Sequence, residues 1–169
     1  MRLFIAIKPD NKTLLALTGI QEQIKKQGVY GNYTPYRNLH ITLAFIGEYH
    51  DPKKALEAMK TVPFSPFAVS VKGIGSFGEL HYADMEVSDD LKEYVKSLRS
   101  ALDKAGIPYD KKSFTPHITL LRRASKPVSH NITVRPVSMT ADSVILMKSE
   151  RGDAGMIYSP LGYVNGREN

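Results

Sequence analysis

The sequence contains neither cysteine nor tryptophan. The absence of cysteine excludes disulfides, thiolate nucleophiles and thiolate-ligated metal sites. No stretch approaches the ~20 consecutive apolar residues that a membrane-spanning helix needs, and the apolar run over residues 3–7 is too short for a signal peptide. Low-complexity segments and long linkers are also absent. We therefore expect a cytoplasmic protein with one domain over residues 1–169, made of two intertwined lobes.

The chain is moderately basic, with 23 lysines and arginines against 17 acidic residues and a formal net charge of +6. A basic balance favours an anionic partner, and nucleic acid is the leading candidate. Lysine and arginine are nevertheless scattered along the chain, so an ordinary solvated surface explains them equally well. Charge alone therefore favours an anionic partner without identifying its chemical class.

The sequence His-Ile-Thr-Leu occurs twice, at residues 40–43 and at residues 117–120. β-branched and aliphatic residues favour strands. Because side chains alternate faces along a strand, each histidine should share a face with the threonine two residues later. Ile41, Leu43 and Phe45 are predicted to point the other way, into a core. Two such strands side by side would place two imidazoles and two hydroxyls around one small space.

Hydrophobic periodicity and turn residues divide the chain into short strands and three helices. Asp10 or Asn11, the Asp51-Pro52 pair and residues 88–90 can each open a helix, and a loop is expected over residues 28–38. The predicted inner face of the first helix is formed by Leu14, Leu15, Leu17, Ile20 and Ile24. Strands are predicted at residues 3–7, 40–46, 67–71, 81–87, from 117 onward, 132–134, 143–147 and 156–158. Mixed short strands with few helices favour an α+β fold with mainly antiparallel sheets.

Five histidines occur in the chain, and the duplication singles out His40 and His117. Strand propensity accounts for the Ile, Thr and Leu of each motif but not for the His. His50 and His130 lack this support and are predicted to be uninvolved, whereas His81 could line a cleft.

Two imidazoles without further ligands favour proton transfer over metal binding. Zinc catalysis normally takes three protein ligands, and no acidic residue accompanies the motifs at a matching spacing. Imidazoles have pKa values near ~6.5, so one ring can remove a proton while the other delivers one. Threonine hydroxyls can donate to phosphoryl oxygens, and arginine supplies the bidentate contact that phosphate favours. Arg122 and Arg123 directly follow the second motif.

Residues 36–47, YRNLHITLAFIG, and residues 114–122, FTPHITLLR, resemble the two signature motifs of the 2H phosphoesterase superfamily. The chain is most similar to the bacterial and archaeal RNA 2′,3′-cyclic phosphodiesterases, also called 2′-5′ RNA ligases. The resemblance extends from Arg2 to Tyr158. It implies a bilobal, pseudo-symmetric α+β fold with two mainly antiparallel sheets, flanking helices and a central cleft.

The resemblance also implies hydrolysis of RNA or nucleotide 2′,3′-cyclic phosphate ends to 2′-phosphates without a metal or a cofactor. Separately, we expect a monomer, although no feature of the sequence fixes the oligomeric state. In the family scheme His40 is the general acid, His117 is the general base, and Thr42 and Thr119 hold the phosphate. The family pattern adds Arg122 as a further phosphate contact.

Strict alternation along the second motif strand conflicts with that role for Arg122. Alternation places Arg123, rather than Arg122, on the face of His117. Arg122 can reach the phosphate only if the strand bends or ends after Leu120. We therefore expect an irregularity at that point.

Base recognition is expected to use stacking, because single-stranded RNA ends are commonly held on aromatic or imidazole rings. Phe77, His81 and Tyr36 lie near the predicted edges of the cleft and are candidates, although ordinary packing explains each equally well.

Two alternatives stay open for the function. One is a non-catalytic module that binds RNA ends, and the other is a 2H enzyme for a different small cyclic nucleotide or for 2′-5′ oligoadenylate.

Overall fold

The structure is a computed structural model that describes residues 1–129 and 131–167. His130, predicted to be uninvolved, lies outside the described residues. Within these residues the chain forms nine strands, three α-helices and one short 3-10 helix. In chain order they are β1 Arg2–Ile7, α1 Asn11–Lys26, β2 Asn32–Tyr33, the 3-10 helix Tyr36–Asn38, β3 Ile41–Glu48, α2 Pro52–Lys60, β4 Phe67–Phe77, β5 Leu80–Val87, α3 Asp89–Lys104, β6 His117–Arg122, β7 Val137–Ala141, β8 Ser143–Gly152 and β9 Gly155–Asn165.

The strands form two antiparallel sheets, which confirms the predicted α+β class. The first sheet has the order β3-β1-β8-β9, and the second has the order β2-β6-β5-β4-β7. Each motif strand therefore belongs to a different sheet, since β3 carries the first motif and β6 the second. This arrangement matches the bilobal fold that the resemblance implies.

The helices begin where the sequence supplies capping side chains. The Asp10 carboxylate accepts a hydrogen bond from the Thr13 N–H at 2.9 Å, Asp51 caps α2 before its first-turn proline, and Ser88 caps α3. These side chains satisfy backbone donors that the first helical turn leaves without partners. After α1 the chain turns at Gly28, whose φ of +79° is in the left-handed region. Glycine adopts this conformation without steric cost.

Three predictions about the elements are wrong in detail. Residues 28–38 are not simply a loop, because β2 pairs with the second motif strand and a 3-10 helix follows. Leu15 is 74% exposed, and the buried polar side chains Thr13 and Gln21 complete the inner face of α1. Residues 132–134 form no strand, since the Gln23 side-chain amide bonds both the N–H and the C=O of Thr133 at 2.8 Å. A side chain thus takes the place of a partner strand.

Two apolar clusters lie on opposite faces of the first sheet. The main core fills the space between the sheets and the helices and includes Leu3, Ile5 and Ile7 of β1. The smaller cluster consists of Phe4, Ala6, Ile145 and Met147, with Phe45 and Tyr158 packed against it. Alternation along β1 assigns its residues to the two clusters. None of the helices in the described residues is long and apolar enough to cross a membrane.

Candidate active site

The two motif strands meet at a cleft of about 570 Å³ that both copies of His-Ile-Thr-Leu help to line. The histidine and the threonine of each copy face this space. The lining residues are Arg2, Phe4, His40, Thr42, Phe45, Glu48, His117, Thr119, Arg122, Ser149, Arg151, Met156 and Tyr158. The structure therefore brings together the five residues that the sequence singled out for phosphate chemistry.

Both histidines are held in the same way by the backbone two residues before them. The distance from His40 Nδ1 to the Asn38 carbonyl oxygen is 2.7 Å, and that from His117 Nδ1 to the Thr115 carbonyl oxygen is 2.6 Å. A carbonyl oxygen only accepts, so Nδ1 carries the hydrogen in each ring. In the neutral ring Nε2 is then the nitrogen without a hydrogen. The Thr42 hydroxyl lies 3.0 Å from His40 Nε2.

A β-bulge interrupts each motif strand at the leucine of the motif. In β3 the register skips Leu43, because Ile5 pairs with Ala44 and Ala6 with Thr42. In β6 the register skips Leu120, because His81 pairs with Leu121 and Tyr82 with Thr119. One extra residue in a strand exchanges the faces of all the residues that follow it.

The bulges correct the prediction for Phe45 and explain the position of Arg122. Phe45, predicted to point away from His40, lines the cleft because the bulge at Leu43 reverses the alternation. The bulge at Leu120 likewise places Arg122 on the cleft side and buries Leu121 in the core. This is the irregularity that the family pattern required. Phe45 and Arg122 occupy equivalent positions, each five residues after the motif histidine.

Of the three candidate base-stacking residues, the structure brings only Phe77 near a motif histidine. Phe77 is 54% exposed, and its ring centroid lies 5.9 Å from that of His117. It lines a second chamber of about 300 Å³ that shares Thr42, Phe45 and His117 with the main cleft. Tyr36 is exposed on the 3-10 helix and is not among the residues that line either space.

The prediction that His81 lines the cleft is wrong. His81 is only 9% exposed and shares a face of β5 with the buried residues Ala83 and Met85. Tyr82 faces the opposite side, where it stacks on Phe77 at 4.7 Å and contacts His117 edge-on at 5.3 Å. Sequence reasoning missed Tyr82, although the alternation of Ala83, Met85 and Val87 indicates its direction.

Other cleft residues also escaped the sequence analysis. Arg2 of β1 and Arg151 of β8 line the cleft, and the Arg2 guanidinium lies 5.1 Å from the centre of the Phe45 ring. Tyr158 contacts His40 edge-on at 5.3 Å. Their signal is weak in sequence, because they belong to strands without a repeated motif. Among the described residues, no group of three or more His, Asp or Glu side chains is arranged to hold a metal ion.

The environment of His40 favours its neutral form. Burial lowers the pKa of His40, and positive charge on Arg122, His117 and Lys8 lowers it further, although the hydrogen bond to the Asn38 carbonyl acts in the opposite direction. The Phe4 ring at 4.9 Å and the Tyr158 ring supply much of the apolar surroundings. Desolvation of an imidazolium without a nearby anion disfavours the charged form.

This environment predicts a contribution of His40 to acid sensitivity. The folded pKa lies below the unfolded value near ~6.5, so the folded state binds fewer protons just below that pH. The free energy of unfolding therefore falls as pH drops through this window. We expect His40→Asn to lose less stability than the unmodified protein between about pH 7 and about pH 5, as measured by urea unfolding. His81, whose pKa burial also lowers, continues to contribute in the variant. Equal losses in the two proteins would contradict the expectation.

Known proteins resemble this chain in sequence and in fold. The family model of the 2′-5′ RNA ligase superfamily matches residues 17–153. An RNA 2′,3′-cyclic phosphodiesterase of Thermotoga maritima is 28% identical over 175 residues, covering 95% of this chain and 93% of that protein. Another, from Archaeoglobus fulgidus, is 32% identical over 130 residues, which cover 72% of each chain.

Solved structures share the fold over nearly the whole chain. The crystal structure of TT0787 of Thermus thermophilus has a TM-score of 0.81 at 26% identity and covers 99% of this chain and 100% of its own. E. coli LigT in complex with 3′-AMP has a TM-score of 0.80 at 22% identity, with 99% and 98% covered, and so shows the fold alone. Because the family model spans both motifs and most of the residues between and around them, this chain belongs to the 2′-5′ RNA ligase superfamily.

Proposed function

We propose that this protein is an enzyme that opens the 2′,3′-cyclic phosphate at the end of an RNA or a nucleotide to a 2′-phosphate, without a metal ion. The observation that carries the proposal is the pair of equivalent imidazoles in one cleft, each with Nδ1 tied to the backbone carbonyl two residues before it. Nε2 is then the nitrogen available for proton transfer, and in His40 it contacts the Thr42 hydroxyl, itself a proposed phosphate contact. The related proteins from Thermotoga maritima and Archaeoglobus fulgidus carry the name RNA 2′,3′-cyclic phosphodiesterase, which supports the same substrate class.

The proposed reaction needs one proton removed and one delivered. In the family scheme, His117 Nε2 takes a proton from water as the water oxygen bonds to phosphorus. The bond from phosphorus to the 3′-oxygen then breaks, and His40 Nε2–H protonates the departing oxygen. Proton exchange with solvent restores both rings.

The lowered pKa of His40 sets a condition on this scheme. An acid must be protonated, whereas burial favours the neutral ring in the empty cleft. The cyclic phosphate carries one negative charge, and an anion beside an imidazole raises its pKa. We therefore infer that His40 takes up its proton together with the substrate.

The residues around the histidines suit a phosphate group. Thr42 and Thr119 face the cleft from equivalent positions, and their hydroxyls can donate to phosphoryl oxygens. Arg122 adds a charged donor on the β6 side. On the β3 side the equivalent position holds Phe45, so the two motif strands contribute one arginine where the pseudo-symmetry allows two. Arg2 and Arg151 line the cleft from other strands. This asymmetry gives the phosphate a preferred orientation.

The stack of Phe77 on Tyr82 beside His117 is the proposed platform for the terminal base. Stacking on an aromatic ring contributes about 1–3 kcal/mol per base, which corresponds to about 5- to 150-fold in affinity. We expect Phe77→Ala to weaken binding of adenosine 2′-phosphate within this range and to leave binding of inorganic phosphate unchanged, as measured by calorimetry. An equal loss for Tyr36→Ala would contradict the placement.

A panel of substrates tests the proposed activity. It comprises RNA and mononucleotides with 2′,3′-cyclic phosphate ends, a 3′,5′-cyclic nucleotide and a 2′-5′ oligoadenylate, each assayed with a chelator present. We expect turnover of the 2′,3′-cyclic ends to 2′-phosphates. Preference for another member would favour a 2H enzyme of different specificity, and binding without turnover would favour a non-catalytic module. Joining a cyclic phosphate to a 5′-hydroxyl uses the same groups in reverse, and adding a 5′-hydroxyl RNA to the assay detects it.

A further inference from the structure

Helices α1 and α3 correspond to one another in the two halves of the molecule. Each has 16 residues, and each precedes one motif strand. Gln21 is the eleventh residue of α1, and Arg99 is the eleventh residue of α3. Both side chains donate to the backbone of a motif strand, although their chemical types differ.

Gln21 bonds the bulge of the second motif. Its side-chain amide donates to the Leu120 carbonyl at 3.0 Å and to the Thr34 carbonyl at 2.9 Å. The Thr34 N–H donates to the same Leu120 carbonyl at 3.0 Å. Gln21 is only 5% exposed, so an amide at this position has little access to water and depends on these acceptors.

Arg99 bonds the bulge of the first motif in the same way. Its guanidinium donates to the Leu43 carbonyl at 3.1 Å and to the Lys112 carbonyl at 2.7 Å. Thr34 precedes the first motif and Lys112 precedes the second. Each helix side chain therefore joins the bulge of one motif to the segment that leads into the other motif.

We propose that Gln21 and Arg99 are positioning residues that hold the two bulges and thereby direct Arg122 and Phe45 into the cleft. A bulge leaves backbone groups outside the regular ladder of hydrogen bonds, and a side-chain donor at that carbonyl favours the bulged register over a regular one. In a regular register Arg122 would lie on the core face. The inference rests on the proposed role of Arg122 as a phosphate contact.

The test uses Gln21→Leu, which removes the hydrogen bonds to the Leu120 and Thr34 carbonyls and replaces glutamine with an apolar side chain of similar size. We expect its affinity for adenosine 2′-phosphate and for inorganic phosphate to fall about three- to tenfold. Combined with Arg122→Ala, the same change should cost nothing further, because Arg122 is the residue through which Gln21 acts. If Arg122 turns away from the cleft, its charge no longer lowers the pKa of His40. The midpoint that His40 contributes to the pH dependence of kcat/KM should therefore rise, as it should in Arg122→Ala.

The matched control is Gln23→Leu, the same substitution two residues away on the same helix. Gln23 also makes two hydrogen bonds, but its partner is Thr133, outside the motifs. We expect this variant to bind both ligands as the unmodified protein does. Circular dichroism and urea unfolding report whether each variant folds, and Gln21→Met replaces Gln21→Leu if the latter does not.

The outcomes separate the two proposals. Equal affinity in Gln21→Leu and the unmodified protein, or full additivity with Arg122→Ala, would overturn the positioning role. An unmodified protein that binds neither adenosine 2′-phosphate nor inorganic phosphate would instead overturn the proposed function. Arg99→Met supplies the reciprocal test. Its effect on affinity for adenosine 2′-phosphate should disappear when it is combined with Phe45→Ala and should persist when it is combined with Arg122→Ala. Non-additive effects of Arg99→Met with Arg122→Ala, and additive effects with Phe45→Ala, would contradict the proposal that Arg99 acts through Phe45.

Discussion

Replacement of either His40 or His117 by alanine is expected to reduce turnover of a 2′,3′-cyclic phosphate by about 10²- to 10⁴-fold. This range is the contribution of one positioned acid or base. The turnover of the double variant should be only slightly lower than that of the less active single variant, because the two rings act on one reaction as a unit. Steady-state assays with a cyclic mononucleotide measure the loss, and affinity for adenosine 2′-phosphate should fall far less than turnover.

The matched control for these variants is His50→Ala. His50 is exposed and lines neither chamber of the site, and its ring centroid lies 4.9 Å from that of Tyr49. Its removal should leave turnover unchanged. Hydrolysis within about threefold of normal in both His40→Ala and His117→Ala would refute acid–base catalysis by the pair.

Replacement of Arg122 by alanine is expected to weaken phosphate binding by about 10- to 150-fold. Charge-assisted hydrogen bonds contribute about 1.5–3 kcal/mol each, and Arg122 is the arginine that the β6 bulge places beside His117 and Thr119. The loss should appear in KM and in the affinity for inorganic phosphate. Arg122→Lys should recover only part of it, because lysine lacks the two-pronged geometry of a guanidinium.

Arg123→Ala is the control that distinguishes the bulged strand from a regular one. Arg123 is the neighbouring exposed arginine, with a backbone φ of +54° after the strand has ended. In a regular strand it would share a face with His117, and Arg122 would not. A larger loss for Arg123→Ala than for Arg122→Ala would show that the arginine contact follows simple alternation, contrary to the structure.

The duplicated motif and the helix caps were legible in the sequence because their signals are local. Asp10, Asp51 and Ser88 each act on backbone groups three residues away, so the residue pattern predicts the helix start without knowledge of the fold. The two motifs identified His40, Thr42, His117 and Thr119 as residues that share a face, and the structure places all four in one cleft.

The positions of Phe45 and Arg122 depend on an interaction that alternation cannot predict. A bulge changes the direction of every later side chain, and nothing within HITL specifies one. The groups that bond the two bulged carbonyls come from Gln21 and Arg99, 99 and 56 residues away from their acceptors. Because one is a glutamine and the other an arginine, a search for repeats does not connect them.

The prediction named His81 as a stacking residue, whereas the β5 residue that contacts His117 is Tyr82. This error differs from the others, because the pattern of β5 contains the information that avoids it. Ala83, Met85 and Val87 predict a buried face that includes position 81, and Tyr82 then lies on the opposite face, where it contacts Phe77 and His117. The strand predicted at residues 132–134 failed for another reason, because the side chain of Gln23 supplies the hydrogen bonds that a neighbouring strand would have made.

The central claim is that two imidazoles, one from each sheet, contact the same phosphate. NMR of the imidazole nitrogens during titration with adenosine 2′-phosphate, in the presence of a chelator, tests it most directly. The account predicts that the Nε2 resonances of His40 and His117 shift together with a single dissociation constant, while those of His50 and His81 stay in place. A shift of only one of the two, or a shift that requires a divalent cation, would contradict it.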